Sequence, residues 1–217
     1  MTTLPSVLVP RAQALAQRLF FTFVARPFLA LFIGMRVEGR ENLPEEDPFI
    51  LVANHASHLD TLSLLSLFAA GRLRRVRPVA AADYFERNRT VSGVTHTLFN
   101  ILPIARRRSA EGGDPDPIEV MVEALGAGQS LILFPEGTRG GGEGPAKFKQ
   151  GVARVLERVP GVPVVPAYLV NMGRSLPKGE WIPLPVFCEV RVGTPLRPEG
   201  DAAAVTEQIR KAVMDLA

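Results

Sequence analysis

The sequence predicts an α/β fold: a single domain with a mixed, mostly parallel sheet flanked by helices, preceded by an N-terminal membrane-interfacial helical segment. Short apolar runs with strand character recur along the chain, and stretches with apolar residues at helical spacing separate them. Polar clusters follow directly after several of these runs, which is where ligands usually bind in open α/β sheets. The length of 217 residues fits one domain with a sizeable core.

The composition favours a chain that contacts anionic groups in a reducing compartment. Apolar residues make up 47% of the sequence, the net charge is +3, and the isoelectric point is near 9.4. These values suit lipid headgroups or a phosphate-bearing ligand, and charge alone does not choose between them. We expect no nucleic-acid partner. Cys188 is the only cysteine, so an intrachain disulfide is impossible.

Residues 1–36 are predicted to form amphipathic helices that lie at a membrane surface. They contain four arginines, no acidic residue, and two apolar runs at 19–25 and 27–35. Neither run reaches the roughly 20 apolar residues that cross a bilayer, and Arg26 interrupts the apolar core that a secretory signal needs. Apolar side chains mixed with arginine suit interfacial helices. The alternative is a helical pair packed on the α/β domain, which we expect to span 37–217.

The first half of this domain is predicted to contain four strands and a central helix. Alternating residues predict a strand near 35–39, and a wholly apolar run predicts a buried strand at 49–53. Leucines at helical spacing after Asp60 predict the central helix. Strands are also predicted at 76–81 and 101–105, with a helical stretch between them. A basic group beside the third strand favours a solvated charged face; it comprises Arg72, Arg74, Arg75 and Arg77.

The helices of the second half have recognisable ends. Asp116 is predicted to cap a helix whose first residue is Pro117, and Gly126 is predicted to end it. A second helix opens near Gly151, and Asp201 caps a closing helix with apolar residues at helical spacing.

Three strands are predicted between and after these helices, at 130–134, 162–170 and 186–192. The second contains Pro163 and Pro166. Because proline has no N–H to donate to a neighbouring strand, we expect 162–170 to be an edge strand or a bent one.

The first polar cluster follows the apolar run 49–53 and contains His55 and Asp60. A separation of five residues on a continuous helix would place their side chains roughly 140° apart. They can meet only if His55 lies on the connecting turn and Asp60 in the first helical turn. The carboxylate would then accept from Nδ1 and leave Nε2 as a general base. The alternative is that Asp60 only caps the helix and His55 is an ordinary turn residue.

Two further clusters follow predicted strands. The run after 130–134 combines a carboxylate, a hydroxyl, a guanidinium and flexible backbone in Glu136, Gly137, Thr138 and Arg139. Three adjacent arginines follow 101–105, and the guanidinium fork matches the geometry of phosphate. A solvated loop is an equal alternative for these arginines, which are Arg106, Arg107 and Arg108.

Several kinds of chemistry lack their sequence signatures. The segment nearest to a nucleophilic-serine elbow, 128–132, lacks the second glycine. No phosphate-binding Gly-Lys-Ser/Thr loop and no dinucleotide fingerprint is present, and Cys188 within an apolar strand favours packing. A metal-dependent hydrolase built on His55, His58 and Asp60 is the alternative from another class, although only His96 remains to extend such a set. A non-catalytic membrane-binding module is a further alternative.

What remains is a His–Asp pair opposite a Glu/Arg cluster. Such an arrangement can deprotonate a hydroxyl and direct it at an activated acyl group without a covalent enzyme intermediate.

These residues resemble the glycerolipid acyltransferase family in four blocks that occur in the same order. The two strong blocks are Asn54-His55 with Asp60, and Phe134-Pro135-Glu136-Gly137-Thr138-Arg139. The weaker ones are Ile104-Ala105-Arg106 and Val162-Pro163-Val164-Val165-Pro166, and Phe148-Lys149-Gln150-Gly151 fits a further family segment. The resemblance covers about residues 35–195.

The resemblance implies an enzyme that acylates the free hydroxyl of 1-acylglycerol-3-phosphate to give phosphatidate. His55 would be the base and Asp60 its orienting partner. The acceptor and its phosphate would be bound by Arg106, Glu136, Gly137, Thr138 and Arg139. The resemblance also implies an acyl-CoA or acyl-carrier-protein donor, no metal or bound cofactor, and a site at the cytoplasmic face of the cell membrane. Another lysophospholipid or an acylated amino-acid lipid is the alternative acceptor.

The chain departs from the family pattern at two positions. The second block carries Asn100 where the family usually has glycine, which leaves the choice among Arg106, Arg107 and Arg108 open. Gly140 stands where a serine is common, and we expect this change to be minor.

Overall fold

A computed structural model of the chain describes residues 11–82, 97–105, 115–137, 147–177, 180 and 182–217. Within these ranges seven strands form one sheet. They are β1 (Arg36–Glu38), β2 (Ile50–Ala53), β3 (Val76–Ala81), β4 (Leu102–Ile104), β5 (Ser130–Leu133), β6 (Val164–Val170) and β7 (Glu189–Val192).

The strands lie in the order β1-β7-β6-β2-β5-β3-β4. All neighbouring pairs are parallel except β6 and β7, which are antiparallel. The predicted mixed, mostly parallel sheet is therefore confirmed. Because β2 to β6 all run in one direction, their carboxyl ends lie at the same edge of the sheet.

Helices cover both faces of the sheet. They are α1 (Arg11–Phe32), α2 (Leu59–Ser66), α3 (Pro117–Gly126), α4 (Gly151–Arg158), α5 (Met172–Ser175) and α6 (Ala202–Met214). Alternate residues of the central strand divide between two buried clusters: Leu51 and Ala53 pack with α1 and α2, and Ile50 and Val52 pack with α3, α4 and α6. The central strands are buried on both faces, which explains why they are apolar throughout.

The predicted helix ends are confirmed. Asp116 accepts a hydrogen bond from Ile118 N at 2.9 Å and caps α3, and Asp201 accepts one from Ala204 N at 2.8 Å and caps α6. Gly126 is the last residue of α3.

The two N-terminal apolar runs form one continuous helix, α1, instead of a helical pair. It is α-helical over Arg11–Phe20 and contains π-helical turns at Phe21–Ala25 and Phe28–Phe32. A buried stripe recurs every fourth residue along it. In a helix of 3.6 residues per turn, side chains four residues apart move gradually around the helix axis. The wider π turns, closed by i→i+5 hydrogen bonds, compensate for this rotation. The stripe therefore stays on the domain side; its members are Phe21, Ala25, Leu29 and Ile33.

The opposite face of α1 is exposed and largely apolar. As one helix of 22 residues, with a mean hydropathy of 1.3 in its apolar window, α1 is long and apolar enough to cross a membrane by length and composition. The expectation that each run is too short to span does not hold for the joined helix. Because its other face belongs to the core of the α/β domain, α1 cannot leave the domain without exposing that core.

Two arginines bind the C-terminal end of α2. Arg26 of α1 donates from Nε to the carbonyl of Ser66 at 3.2 Å and from Nη2 to the carbonyl of Phe68. Arg40 donates from Nη2 to the carbonyl of Leu67 at 2.7 Å. These are carbonyl groups that a helix end leaves without intrahelical partners, and cations there also favour the helix dipole. Arg26 thereby joins α1 to α2.

Of the two expectations for 162–170, the edge position is wrong, because β6 pairs with β2 on one side and with β7 on the other; the strand instead has an irregularity at Pro166. Near Pro166 the antiparallel register between β6 and the β7 side of the sheet shifts by one residue. Ala167 pairs with Val192, whereas Val164 pairs with Leu196, so one strand has an extra residue between the two pairs. Pro166 still accepts a hydrogen bond from Gly193 N at 2.8 Å. This local bulge accommodates the missing N–H inside the sheet.

The expected solvated basic face is correct only in part. Arg74 and Arg75 are exposed, whereas Arg77 is buried. Its guanidinium donates to the carbonyls of Asn100 and Ile101, and burial lowers its pKa. Arg77 therefore ties β3 to the segment that leads into β4.

Replacing a phenylalanine by alanine should have different effects on the two faces of α1. Phe21→Ala should lower the free energy of unfolding by about 3–5 kcal/mol, because it removes a fully buried ring. Phe23→Ala, on the exposed face, should change it by less than about 0.5 kcal/mol. Urea unfolding followed by circular dichroism measures both. Equal effects would mean that α1 does not pack on the domain as described.

Candidate active site

The carboxyl end of β2 is anchored to β6 by Asn54. Its Nδ2 donates to the carbonyl of Leu169 at 3.0 Å, and its Oδ1 accepts from Leu169 N at 2.7 Å. The side-chain amide of Asn54 thus extends the hydrogen bonding between β2 and β6 beyond the end of β2. These bonds fix the position of Asn54, and the next residue, His55, begins the turn into α2.

His55 and Asp60 meet in the one arrangement that their spacing allows. His55 lies on the turn, α2 begins at Leu59, and Nδ1 of His55 is 2.8 Å from Oδ2 of Asp60. Oδ2 also accepts from the backbone N–H groups of Ala56 at 2.6 Å and Ser57 at 2.8 Å. A backbone N–H can only donate, so Oδ2 is an acceptor and Nδ1 carries the proton. Nε2 is then the ring nitrogen available to a substrate.

The two members of this pair differ in exposure. The Asp60 side chain is fully buried, whereas 22% of the His55 side chain is exposed. The imidazole stacks on the ring of Phe134, with centroids 4.2 Å apart and planes inclined by 20°. Phe134 directly follows β5. The ring is therefore held by a hydrogen bond at one edge and by an aromatic face on one side, and part of it reaches solvent.

Glu136 belongs to the same site. Val52 of β2 and Leu133 of β5 are register partners, which brings the residues after both strands side by side. Oε1 of Glu136 accepts from the backbone N–H of His55 at 3.3 Å. Burial raises the pKa of the Glu136 carboxyl above its usual value, and the His55 N–H and the nearby His55 ring partly oppose that shift.

Lys149 is a basic residue to which the sequence patterns assigned no role. Gly137 has a φ of +73°, and a Cβ at this position would lie 2.3 Å from Nζ of Lys149. The Lys149 N–H donates to the carbonyl of Pro135 at 2.9 Å. The Phe148-Lys149-Gln150-Gly151 segment was the available signal. Only the structure places its ammonium beside the Glu136–Gly137 turn.

The other predicted site residues lie outside the described residues. These are Arg106, Arg107, Arg108, Thr138 and Arg139. The described residues next to them are Ala105, one residue beyond β4, and Gly137, four residues beyond β5. Both segments leave the sheet at the edge where His55 lies.

Asn100 has a left-handed backbone with a φ of +52°. Glycine and asparagine are the residues that adopt this conformation most readily. Asparagine at the position of the family glycine therefore suits the left-handed backbone found here. Its Nδ2 donates to the carbonyl of Arg74 at 3.0 Å, and its own carbonyl accepts from Arg77.

The alternative catalytic groups receive no geometric support in the described ranges. No three His, Cys, Asp or Glu side chains converge there as a metal ligand set, and His96 lies outside those ranges. His58 is exposed at the N-terminal end of α2. Cys188 is buried, as predicted, and burial raises the pKa of its thiol, which disfavours the nucleophilic thiolate.

The chain matches a family model described as Acyltransferase over residues 34–170. The chloroplastic 1-acyl-sn-glycerol-3-phosphate acyltransferase of Arabidopsis thaliana is 30% identical over 168 residues, which are 75% of this chain and 44% of that protein. A 1-acyl-sn-glycerol-3-phosphate acyltransferase of Chlamydomonas reinhardtii is 31% identical over 206 residues, 92% of this chain and 58% of that protein. The chain thus spans about half the length of these curated relatives.

A solved structure with the same fold is the 1-acyl-sn-glycerophosphate (LPA) acyltransferase PlsC of Thermotoga maritima. It superposes with a TM-score of 0.68 at 26% identity, covering 97% of this chain and 85% of that one. The similarity therefore extends over the sheet, its helices and the carboxyl edge that carries His55.

The buried carboxyl of Glu136 predicts a pH-dependent contribution to stability. Its pKa is higher in the folded protein than in the unfolded chain, so the folded protein binds the proton more tightly. The free energy of unfolding then falls as pH rises between the two pKa values, and stays lower above them. Glu136→Gln removes this loss and keeps an oxygen for the His55 N–H. The variant should therefore gain stability relative to wild type at pH 7.5 compared with pH 4.

Thermal unfolding at both pH values measures this difference. Glu123→Gln, at an exposed position on α3, is the matched control and should show little pH-dependent difference. A pH-independent effect of Glu136→Gln would contradict the assignment.

Proposed function

The chain belongs to the acyltransferase family, and from that premise we propose that it acylates the free hydroxyl of 1-acylglycerol-3-phosphate, giving phosphatidate. The relatives described above carry names for this activity. The observation that carries the proposal is the 2.8 Å contact between His55 Nδ1 and Asp60 Oδ2, because it orients the imidazole with Nε2 directed away from the carboxylate, at a sheet edge of the kind that binds ligands.

In this mechanism His55 acts as a general base. Nε2 takes the proton of the acceptor hydroxyl while the hydroxyl oxygen attacks the carbonyl carbon of the acyl thioester. The tetrahedral intermediate collapses by cleavage of the C–S bond, and the thiolate leaving group takes the proton back from His55. Asp60 stays ionised, holds the tautomer and stabilises the transient imidazolium. No covalent acyl-enzyme is formed.

The acceptor is proposed to lie over the turn after β5. Glu136 and Gly137 form its floor beside His55, with Thr138 and Arg139 next in the chain. Lys149 supports this assignment, because its ammonium beside Gly137 adds a cation suited to phosphate. We propose that Arg106 contributes a further phosphate contact, since β4 ends at the same sheet edge.

The acyl donor is proposed to be acyl-CoA or acyl carrier protein. Its thioester is already activated toward attack by a hydroxyl that is losing its proton to His55, so the proposed mechanism includes no metal or bound cofactor step.

We propose that α1 lies in the membrane interface and that residues 37–217 form the acyltransferase domain, with 1–36 as the membrane-associating segment. The support is the division of α1 into one face packed in the core and one exposed apolar face. The proposed location is the cytoplasmic side of the cell membrane, held peripherally or monotopically.

A panel of acceptors tests the activity. Purified protein in detergent is offered a radiolabelled acyl thioester with lysophosphatidate, other lysophospholipids and acylated amino-acid lipids. We expect lysophosphatidate to be consumed fastest, with phosphatidate as the product. Faster acylation of another acceptor would keep the chemistry and replace the proposed substrate, and no transfer to any acceptor would refute the proposal.

Substitutions in the same assay test the roles of the site residues. His55→Ala should lower turnover by on the order of 10²–10⁴, the range for general base catalysis. Asp60→Asn should also be severe, because an amide can hold the wrong tautomer. His58→Ala is the matched control and should be mild. A loss at His58 comparable to that at His55 would favour the metal-dependent hydrolase instead.

Arg139→Lys tests the proposed phosphate contact. Lysine keeps the charge but loses the planar fork that binds two phosphate oxygens, so the variant should mainly raise the apparent KM for the lysolipid. The KM for the thioester and the melting temperature should stay nearly unchanged. A lower melting temperature with an unchanged acceptor KM would instead identify Arg139 as a structural partner of a carboxylate such as Glu136.

A further inference from the structure

Three large apolar side chains project into solvent from the loop between α5 and β7. Ile182 is 78% exposed, Leu184 53% and Phe187 82%. Neither the proposed chemistry nor the packing of the core uses them. Clustered exposure of this kind marks an interaction surface more often than isolated surface residues do.

The loop backbone is held by defined hydrogen bonds. Leu184 N donates to the carbonyl of Ser175 at 2.7 Å, and Ser175 Oγ donates to the carbonyl of Leu184 at 2.7 Å. Asn171 Nδ2 donates to the carbonyl of Phe187 at 3.1 Å. The side chains are therefore presented outward by a backbone that is tied down on the domain.

The loop lies beside the C-terminal end of α1. A Cβ at Gly34 would be 3.3 Å from two ring carbons of Phe187, and Gly34 follows α1 closely. Leu31 and Phe32 of α1 are 87% and 47% exposed. Phe187 thus lies beside the C-terminal end of α1, next to the part of that helix that exposes Leu31 and Phe32.

The charge along α1 favours an anionic bilayer. Residues 1–36 contain no acidic side chain, and Arg11 and Arg18 are exposed; Arg36, which follows α1, pairs with Glu38 at 3.2 Å. Apolar side chains bordered by arginine suit the boundary between acyl chains and anionic headgroups.

We propose that the 182–187 loop is a second membrane-contacting element, whose three apolar side chains enter an anionic bilayer beside the C-terminal end of α1. The inference rests on the proposed interfacial orientation of α1. A single interfacial helix leaves the domain free to roll about the helix axis, and a second contact removes that freedom. The loop also connects to the active turn, since Ser57 Oγ donates to the carbonyl of Leu176 at 2.9 Å, next to Ser175.

A site-specific fluorescent probe tests the contact directly. In a Cys188→Ala background, Phe187→Cys, Leu31→Cys and Glu207→Cys are each labelled with a nitrobenzoxadiazole. Vesicles are equimolar phosphatidylglycerol and phosphatidylcholine, with or without brominated acyl chains. We expect the probes at 187 and 31 to shift to the blue and to be quenched by the brominated lipid. Glu207, exposed on α6, is the control position and should show neither change.

A loop variant tests the energetic contribution. The triple substitution of Ile182, Leu184 and Phe187 by serine should lower the vesicle partition coefficient at least roughly tenfold, because it removes three apolar insertions. The melting temperature, and acylation of a short-chain lysolipid below its micelle concentration, should stay unchanged. A quenched probe without measurable acyl transfer would support the loop contact and refute the proposed activity alone.

Two outcomes would overturn the inference. One is an unquenched probe at 187 while that at 31 is quenched, with unchanged partitioning of the triple variant. The other is conversion of a dimer to a monomer by the triple substitution, with vesicle binding intact, which would make the loop a contact between copies of the chain. Equilibrium sedimentation without vesicles detects the second.

Discussion

One oxygen atom, Oδ2 of Asp60, accepts hydrogen bonds from the His55 imidazole and from the backbone N–H groups of Ala56 and Ser57. These donors replace the water that Oδ2 loses on burial, whereas Oδ1 of the same carboxylate has no hydrogen-bond partner among the described residues. The three donors belong to consecutive residues, so the same atom orients the imidazole ring and shapes the turn between β2 and α2. Loss of this carboxylate would leave two backbone N–H groups and the imidazole without their partner at once.

The rest of the site depends on the two strands beside β2. On one side, parallel β5 brings Phe134 against the imidazole and Glu136 to the backbone N–H of His55. On the other side, parallel β6 brings Leu169 to Asn54. The His–Asp turn is therefore held from both sides by strands that lie far from it in sequence. The short turn that carries His55 therefore depends for its position on residues of β5 and β6.

Local patterns predicted the fold class and the caps of α3 and α6, and they identified the arrangement in which His55 and Asp60 could meet, because these features show in residues near in sequence. The interior position of β6, the burial of Arg77 and the closeness of Lys149 to Gly137 were not predicted. Each depends on which distant segment arrives beside the residue, and neither periodicity nor composition carries that information. The bulge at Pro166 shows this well, since an edge strand is the simplest accommodation of a proline and the sheet uses another.

Arg26 links α1, the proposed membrane-contacting helix, to the turn that carries His55 and Asp60, and it does so through α2. It binds the C-terminal carbonyls of a helix of eight residues, roughly 12 Å long, whose first turn carries Asp60. A short helix is stiff, so on the proposed orientation the distance from the headgroup level of α1 to the imidazole of His55 is constant. A hydroxyl would be selected by its height within the lipid layer as well as by the headgroup beside it, and a chemically suitable alcohol at another height would not meet the base.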